Sequence, residues 1–277
     1  MCSLAELHQS ISLLLQRGGI ENATFESRLM ICSALNLPDA YPLRNSSRQV
    51  NDGEYARIIS MAQRRVKGEP LQYLLGSWQF MGMDFIVDSR VLIPRQDTEC
   101  LVELAKDRIG TYGYKTLLDV CTGSGCIGLS LARLTGIRTT LSDISPDVLA
   151  VAKENAAFLK QECEILEGDL FGAVSGRQFD MIVSNPPYLN WREMETLQRE
   201  VTREPSLALD GGEDGLLFYR RIAAEYQAYL APGGTLLMEI GYRQGDAVLS
   251  LFSGAVLHRD LAGNDRVVEL KRETEHV

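Results

Sequence analysis

The 277-residue sequence is short of histidine, with three, and of tryptophan, with two. Its six cysteines, Cys2, Cys32, Cys100, Cys121, Cys126 and Cys163, are scattered and include no CxxC pair. With His8, His258 and His276 as the only imidazoles, a Cys/His metal site is not expected, and the thiols read as reduced. No apolar stretch approaches the ~18 residues of a membrane span. The N-terminus lacks a basic region followed by an apolar run and a small-residue cleavage site, so the expected compartment is the cytoplasm. Positive charge is also in deficit, with 28 basic against 37 acidic residues and a formal net charge of −9. A chain that grips nucleic acid broadly usually carries a basic surface, because phosphate neutralisation supplies most of its affinity. The expected partner is a protein or a small molecule, with no direct nucleic-acid contact and no membrane.

What is present divides into two halves. The first reads as helical. Ser3 with Glu6 fits a capping box, and Leu4, Leu7, Ile11, Leu14 and Leu15 share one helical face before Gly18 and Gly19. A second apolar run extends from Phe25 to Leu37 and stops at Pro38. A third starts near Asn51 with Glu54, and closes at Gly68 with Arg64, Arg65 and Lys67 in its last turns, where cations suit the helix dipole. Residues 72–94 carry short aromatic and β-branched runs around Gly82 and read as a β-hairpin linker. The expected domains are 1–71, 72–94 and 95–277.

From residue 95 onward, apolar strands alternate with helices. Strands are expected at "KTLLDV", "TTLSDI", "CEILEGD", "FDMIVSN" and "TLLMEIG". Helices are expected at "CIGLSLARL", at "PDVLAVAKENAAFL" with Ser145 as N-cap, and at "LFYRRIAAEYQAYL", ended by Pro232 and Gly233. The tail, 255–271, reads as two strands around a turn. Such alternation predicts an α/β fold, a doubly wound, mostly parallel sheet whose ligand sits at the carboxyl ends of the strands.

The ligand loop is "DVCTGSGCIG", Asp119 to Gly128. Gly123, Gly125 and Gly128 also spell GxGxxG, but a dinucleotide site would not account for the later "SNPPY". Asp119, at a strand end, is placed for the ammonium of an amino-acid moiety. Asp143, ending the next strand, is placed for two ribose hydroxyls. Asp169, ending the third, is placed for an adenine amino group, with Leu170 or Phe171 beside the ring. Three strand-end aspartates around a glycine-rich loop fit S-adenosylmethionine. At 184–188, Asn185, Pro186, Pro187 and Tyr188 close a buried strand with one carboxamide, rigid carbonyls and a flat ring. That set suits a planar amide or aromatic amine: Asn185 Oδ1 and the Pro186 carbonyl accept its N–H bonds, and Tyr188 walls its face.

"GEPLQYLLG" (68–76), "LIPRQDTE" (92–99), "DVCTGSG" (119–125), "SNPPY" (184–188) and "EPSLALDGGEDGLLFYRRI" (204–222) together resemble the HemK family of glutamine-N5 methyltransferases, nearly end to end. The resemblance implies a Rossmann-like class I methyltransferase domain with a helical N-terminal domain that docks a release factor. It implies methyl transfer from S-adenosyl-L-methionine, leaving S-adenosyl-L-homocysteine, to the side-chain amide of the glutamine in the GGQ motif of class 1 release factors. Carried over residue by residue, cofactor contacts fall on Cys121, Thr122, Gly123, Ser124, Gly125, Asp143, Asp169, Leu170 and Asn185. The substrate glutamine falls to Asn185, Pro186, Pro187 and Tyr188, with Asn185, Pro186 and Tyr188 as the catalytic set. No metal is expected from the scarce histidines and scattered cysteines. No essential histidine is expected either, because the alkylated amide nitrogen is acidic enough to lose its proton without a side-chain base. The chain departs from the family at Gln96, usually proline, at Cys121, usually glycine, and at Leu170, aromatic in some relatives. Other readings of the same motifs are a ribosomal-protein glutamine methyltransferase, an adenine-N6 methyltransferase acting on a flipped base, and a non-catalytic binding module.

Overall fold

The computed structural model describes residues 2–273 except 39, 42, 44 and 45, so His276 lies outside the described residues. The chain separates into two compact units. One holds the residues up to Ser77 together with Gln198–Arg203, the other Trp78–Leu197 and the chain from Glu204 onward.

In the first unit, β1 (Cys2–Ser3) pairs antiparallel with β2 (Gln49–Val50) beside α1 (Leu4–Arg17), α2 (Ala23–Ala34), α3 (Asp52–Val66) and α4 (Leu71–Leu75). The expected capping box at Ser3 forms, and a second forms at Asn51. Ser3 N donates to Glu6 Oε2 at 2.8 Å and Glu6 N to Ser3 Oγ at 3.3 Å, while Asn51 and Glu54 exchange bonds of 3.0 and 2.9 Å. Leu4, Leu7, Ile11 and Leu15 are buried in one cluster with Met30, Ile31, Ile58 and Ala62. The second helix begins before its apolar run, at Ala23, and also ends before it, where Asn36 at φ 51° turns the backbone out of the helix.

The cations closing α3 do more than face the dipole. Arg65 is buried, donating to both Glu26 oxygens at 2.6 and 3.1 Å and to Glu200 at 2.7 Å. A buried carboxylate without its cation is costly, so this network holds the strap Gln198–Arg203 within the helical unit.

The expected hairpin over 72–94 is shorter than the sequence suggested. Leu71–Leu75 is helix, started after Pro70 and stopped by Gly76 at φ 79°. The hairpin proper joins β3 (Ser77–Phe80) to β4 (Met83–Ile86). Met81 and Gly82 turn it with φ of 51° and 72°, the positive pair a two-residue hairpin turn requires.

The second unit is built on seven strands: β5 (Thr116–Val120), β6 (Arg138–Asp143), β7 (Glu164–Glu167), β8 (Phe179–Ser184), β9 (Leu230–Glu239), β10 (Val256–Arg259) and β11 (Asp265–Lys271). Their order is β10-β11-β9-β8-β5-β6-β7. The run from β9 to β7 is parallel, and β11 is antiparallel to both β9 and β10. Strand β9 starts at Leu230, so Pro232 and Gly233 lie inside it rather than breaking the chain before it. A register shift against β8 between Phe179 and Met181 absorbs them.

Among the described residues six α-helices complete the unit: α5 (Glu99–Tyr112), α6 (Cys126–Thr135), α7 (Pro146–Phe158), α8 (Trp191–Glu195), α9 (Leu217–Tyr229) and α10 (Gly245–Leu249). Period-two alternation gives the sheet two apolar faces. Leu117, Met181, Val183 and Leu237 pack with Leu101, Val102, Leu129 and Ala152 on one side. Leu118, Val120, Ile182, Leu236 and Met238 pack with Tyr219, Ile222 and Val248 on the other. Each fully buried aliphatic of this kind contributes about 1.5–3 kcal/mol. The strand order reverses between β5 and β8, and the crevice at that switch point opens at the ends of Val120 and Ser184.

Candidate active site

At the switch point lies a cavity of about 230 Å³. Of the residues singled out from the sequence, its lining brings together Cys121, Thr122, Gly123, Ser124, Asp143, Asp169, Leu170, Asn185 and Pro187. Asp119, Gly125, Pro186 and Tyr188 stand outside that lining.

Asp119 takes a different place from the one expected of it. It is buried behind the loop, where Oδ2 accepts from Thr122 Oγ1 at 2.7 Å and from Gly128 N at 2.9 Å. It therefore shapes the loop instead of lining the cavity. Its Oδ1 has no hydrogen-bond partner, and burial pushes the carboxyl up to about 7 against the pull of those two donors. Gly128 is required by closeness, since a Cβ there would come within 2.3 Å of Leu141 Cδ2 and 2.9 Å of Asp119 Oδ2. Gly123 is required by backbone conformation instead: φ is 58°, and a Cβ would meet nothing within 4 Å. Cys121 adopts φ 59° and Leu170 φ 49°, a left-handed conformation that costs about 1–2 kcal/mol for a residue with a Cβ. Both strained residues line the cavity, and burial raises the Cys121 thiol far above its ordinary value.

Asp143 is oriented from behind. Oδ2 accepts from Gly123 N and Oδ1 from Ser145 N, each at 3.1 Å. Burial raises its carboxyl, and the amides of Ser145, Gly123 and Ile144 oppose that shift. Each oxygen keeps lone pairs for a second donor, which suits the two hydroxyls of a ribose. Asp169 stands at the start of the short 3₁₀ turn after β7 without capping it by its side chain, and its Oδ2 accepts from the Arg221 guanidinium at 2.8 Å. Arg221, on α9, lines the cavity and was not singled out from the sequence, which offers no local signal for a pair 52 residues apart.

Asn185 directs Nδ2 at Thr98 Oγ1, 3.4 Å away. Behind this pair lies Glu239, whose carboxyl burial pushes up to about 7, opposed by the Thr98 hydroxyl, the Arg266 charge and the Asn185 amide. Burial likewise raises the Tyr188 phenol well above its ordinary value, so it is a neutral ring and hydroxyl at physiological pH. Neither His8 nor His258 lines the cavity.

Three charged residues of the neighbouring "LIPRQDTE" segment have partners, and Arg95 also lines the cavity. Arg95 pairs with the buried Glu204, which also accepts from Ile93 N at 3.0 Å. Asp97 meets Arg266 at 3.0 Å, and Glu99 accepts from Met81 N at 2.7 Å in the hairpin turn. Asn155, also missed from the sequence, is buried in α7. It donates to Ser124 O at 2.9 Å and Ile86 O at 3.0 Å, and accepts from Ile86 N at 2.7 Å.

A mostly parallel sheet of this order, with a glycine-rich loop and a strand-end aspartate at its switch point, defines a class I S-adenosylmethionine-dependent methyltransferase. A solved methyltransferase from Pyrococcus furiosus has the same fold, with a TM-score of 0.52 at 14% identity, covering 80% of this chain and 100% of that one. The PrmC N-terminal domain family matches residues 6–76, and the methyltransferase small domain family matches 96–213. A release factor glutamine methyltransferase from Geobacter sulfurreducens is 41% identical over 257 residues, 90% of each chain. Another, from Koribacter versatilis, is 40% identical over 254 residues, 90% of this chain and 91% of that protein. This chain belongs to the release factor glutamine methyltransferase family.

Proposed function

We propose that the chain methylates the side-chain amide nitrogen, N5, of the glutamine in the GGQ motif of class 1 release factors. The observation that carries this reading is the near end-to-end similarity to release factor glutamine methyltransferases, with Asn185 at the cavity wall. Cys121 to Gly125, Asp143, Asp169 and Leu170 would hold the cofactor, with Asn185 at its reacting end. S-adenosylmethionine supplies an electrophilic methyl group and a neutral thioether leaving group when bound.

The protein's part is orientation. An amide nitrogen is a poor nucleophile because its lone pair is delocalised into the carbonyl. Asn185 points its nitrogen at Thr98 Oγ1, which leaves Oδ1 to accept from the substrate N–H. The Pro186 carbonyl is the second acceptor, its backbone restricted at φ by its own ring and at ψ by the following Pro187. Two acceptors on the N–H bonds aim the nitrogen lone pair along the line of displacement, and such positioning supplies up to about 7–11 kcal/mol. Once alkylated, the nitrogen is strongly acidic and sheds its proton to the Pro186 carbonyl or water, so no imidazole base is needed. The helical unit docks the release factor on this reading, and the compartment follows the substrate, the cytoplasm.

Asn185→Ala tests it. Turnover on a GGQ-containing release factor should fall by about a hundredfold, while S-adenosylhomocysteine affinity changes far less. Turnover equal to wild type would remove Asn185 from the reaction.

A further inference from the structure

The stretch 204–222 is among the most specific features of the sequence, yet residues 210–216 supply nothing to the cavity lining. Their neighbours explain what they do. Pro186 and Pro187 carry no amide hydrogen, so the segment leaving β8 cannot continue a ladder. Its anchoring has to come from elsewhere. Leu189 N donates to Leu209 O at 2.9 Å, and Gly211 N donates to Leu189 O at 2.8 Å. Gly211 lies so close that a Cβ would come within 2.7 Å of Tyr188 Cα and 2.9 Å of Pro187 O. Gly215, at φ 75°, would set a Cβ 2.4 Å from Tyr188 O.

One side chain closes this assembly. Gln244, half-buried before α10, donates from Nε2 to Tyr188 O at 3.0 Å and to Gly215 O at 3.2 Å. Its Oε1 accepts from Gly241 N at 2.9 Å. The carboxamide thus uses both ends on three backbone segments: the NPPY exit, the glycine loop and the turn after β9. At Gly241 a Cβ would fall 3.4 Å from Tyr188 Cδ2, so the same turn also borders the tyrosine ring.

We propose that Gln244 is a positioning residue for methyl transfer, fixing the Tyr188 backbone and ring, and through them the Pro186 carbonyl, against the glycine loop 211–215. The inference rests on the proposed reading of Asn185–Tyr188 as the holder of the substrate amide. Gln244 stands outside the cavity lining and acts through Tyr188. No other residue type fills the role at this length: glutamate keeps the acceptor for Gly241 N but sets a carboxylate against two carbonyls, and methionine fills the space without either bond.

The test compares Gln244→Glu and Gln244→Met with wild type in steady-state methylation of a GGQ-containing release factor. S-adenosylhomocysteine affinity is measured by calorimetry and the melting temperature alongside. Both variants should lose about 10–100-fold in kcat while KM for the release factor and S-adenosylhomocysteine affinity stay close to wild type. Unchanged kcat in Gln244→Glu would overturn the proposal. So would a loss of kcat matched by equal losses of cofactor affinity and melting temperature, the mark of a merely structural residue. Failure of wild type itself to methylate the release factor would overturn the function proposed above, a separately visible result.

Discussion

Glu239 shows how one residue joins stability to the site. Its carboxyl is buried, Oε2 has no hydrogen-bond partner, and burial holds it at about 7 against an ordinary 4.5. A folded-state value above the unfolded one means that the fold binds this proton more tightly than the unfolded chain does. The contribution to stability is therefore full below the unfolded value and is lost as pH rises through 7. Glu239→Gln removes that dependence. Between pH 5 and pH 8, denaturant melts should move in favour of the variant by about 2–3 kcal/mol relative to wild type. A wild-type-minus-variant difference that does not change with pH would contradict the assignment. Asp119, also held at about 7 by burial, titrates in the same direction in both proteins and cancels from that difference.

The elements that matter most are loops held by residues far away in sequence. The glycine-rich loop, Asn185, Asp143 and Asp169, which the structure brings to one cavity, were legible because each is a local pattern at a strand end. The capping box at Ser3 and the helix start near Asn51 were legible because they too are local patterns. Asn155 was not: it reads as an ordinary helix residue, yet it bonds Ser124, 31 residues away, and Ile86, 69 away. Gln244 reaches Tyr188 across 56 residues, and Glu204 reaches Ile93 across 111. No periodicity encodes such pairs. Asp119 was expected at the ligand and instead holds its own loop, because strand-end position does not say which way a carboxylate faces. The boundary of the hairpin was misread because Leu71–Leu75 is apolar enough for either element, and Pro70 and Gly76 decided for helix. Asn155→Ala would strand the Ser124 carbonyl and both Ile86 groups, at about 1–3 kcal/mol for a buried group left unpaired. Stability and S-adenosylhomocysteine affinity should fall together, read by melting and calorimetry. A fall in stability with cofactor affinity intact would show that the loop does not depend on Asn155.

At the scale of the molecule, the parallel sheet supplies a switch point, and the loops around it divide the work. The segments after β5 and β6 line the cavity, and the segment after β8 presents Asn185 to it. The net charge is −9, and among the described residues no helix is long and apolar enough to cross a membrane. Among the described residues no cluster of histidine, cysteine, aspartate and glutamate is arranged to hold a metal. The proposed chemistry draws on none, because the leaving group arrives already activated and the site need supply only direction.

The most direct measurement is tandem mass spectrometry of a GGQ-containing release factor after incubation with this protein and S-adenosylmethionine. A single added methyl group on the side-chain nitrogen of the GGQ glutamine, absent when Asn185→Ala replaces wild type, is the predicted result. A release factor that stays unmethylated while S-adenosylmethionine binding is confirmed would contradict it.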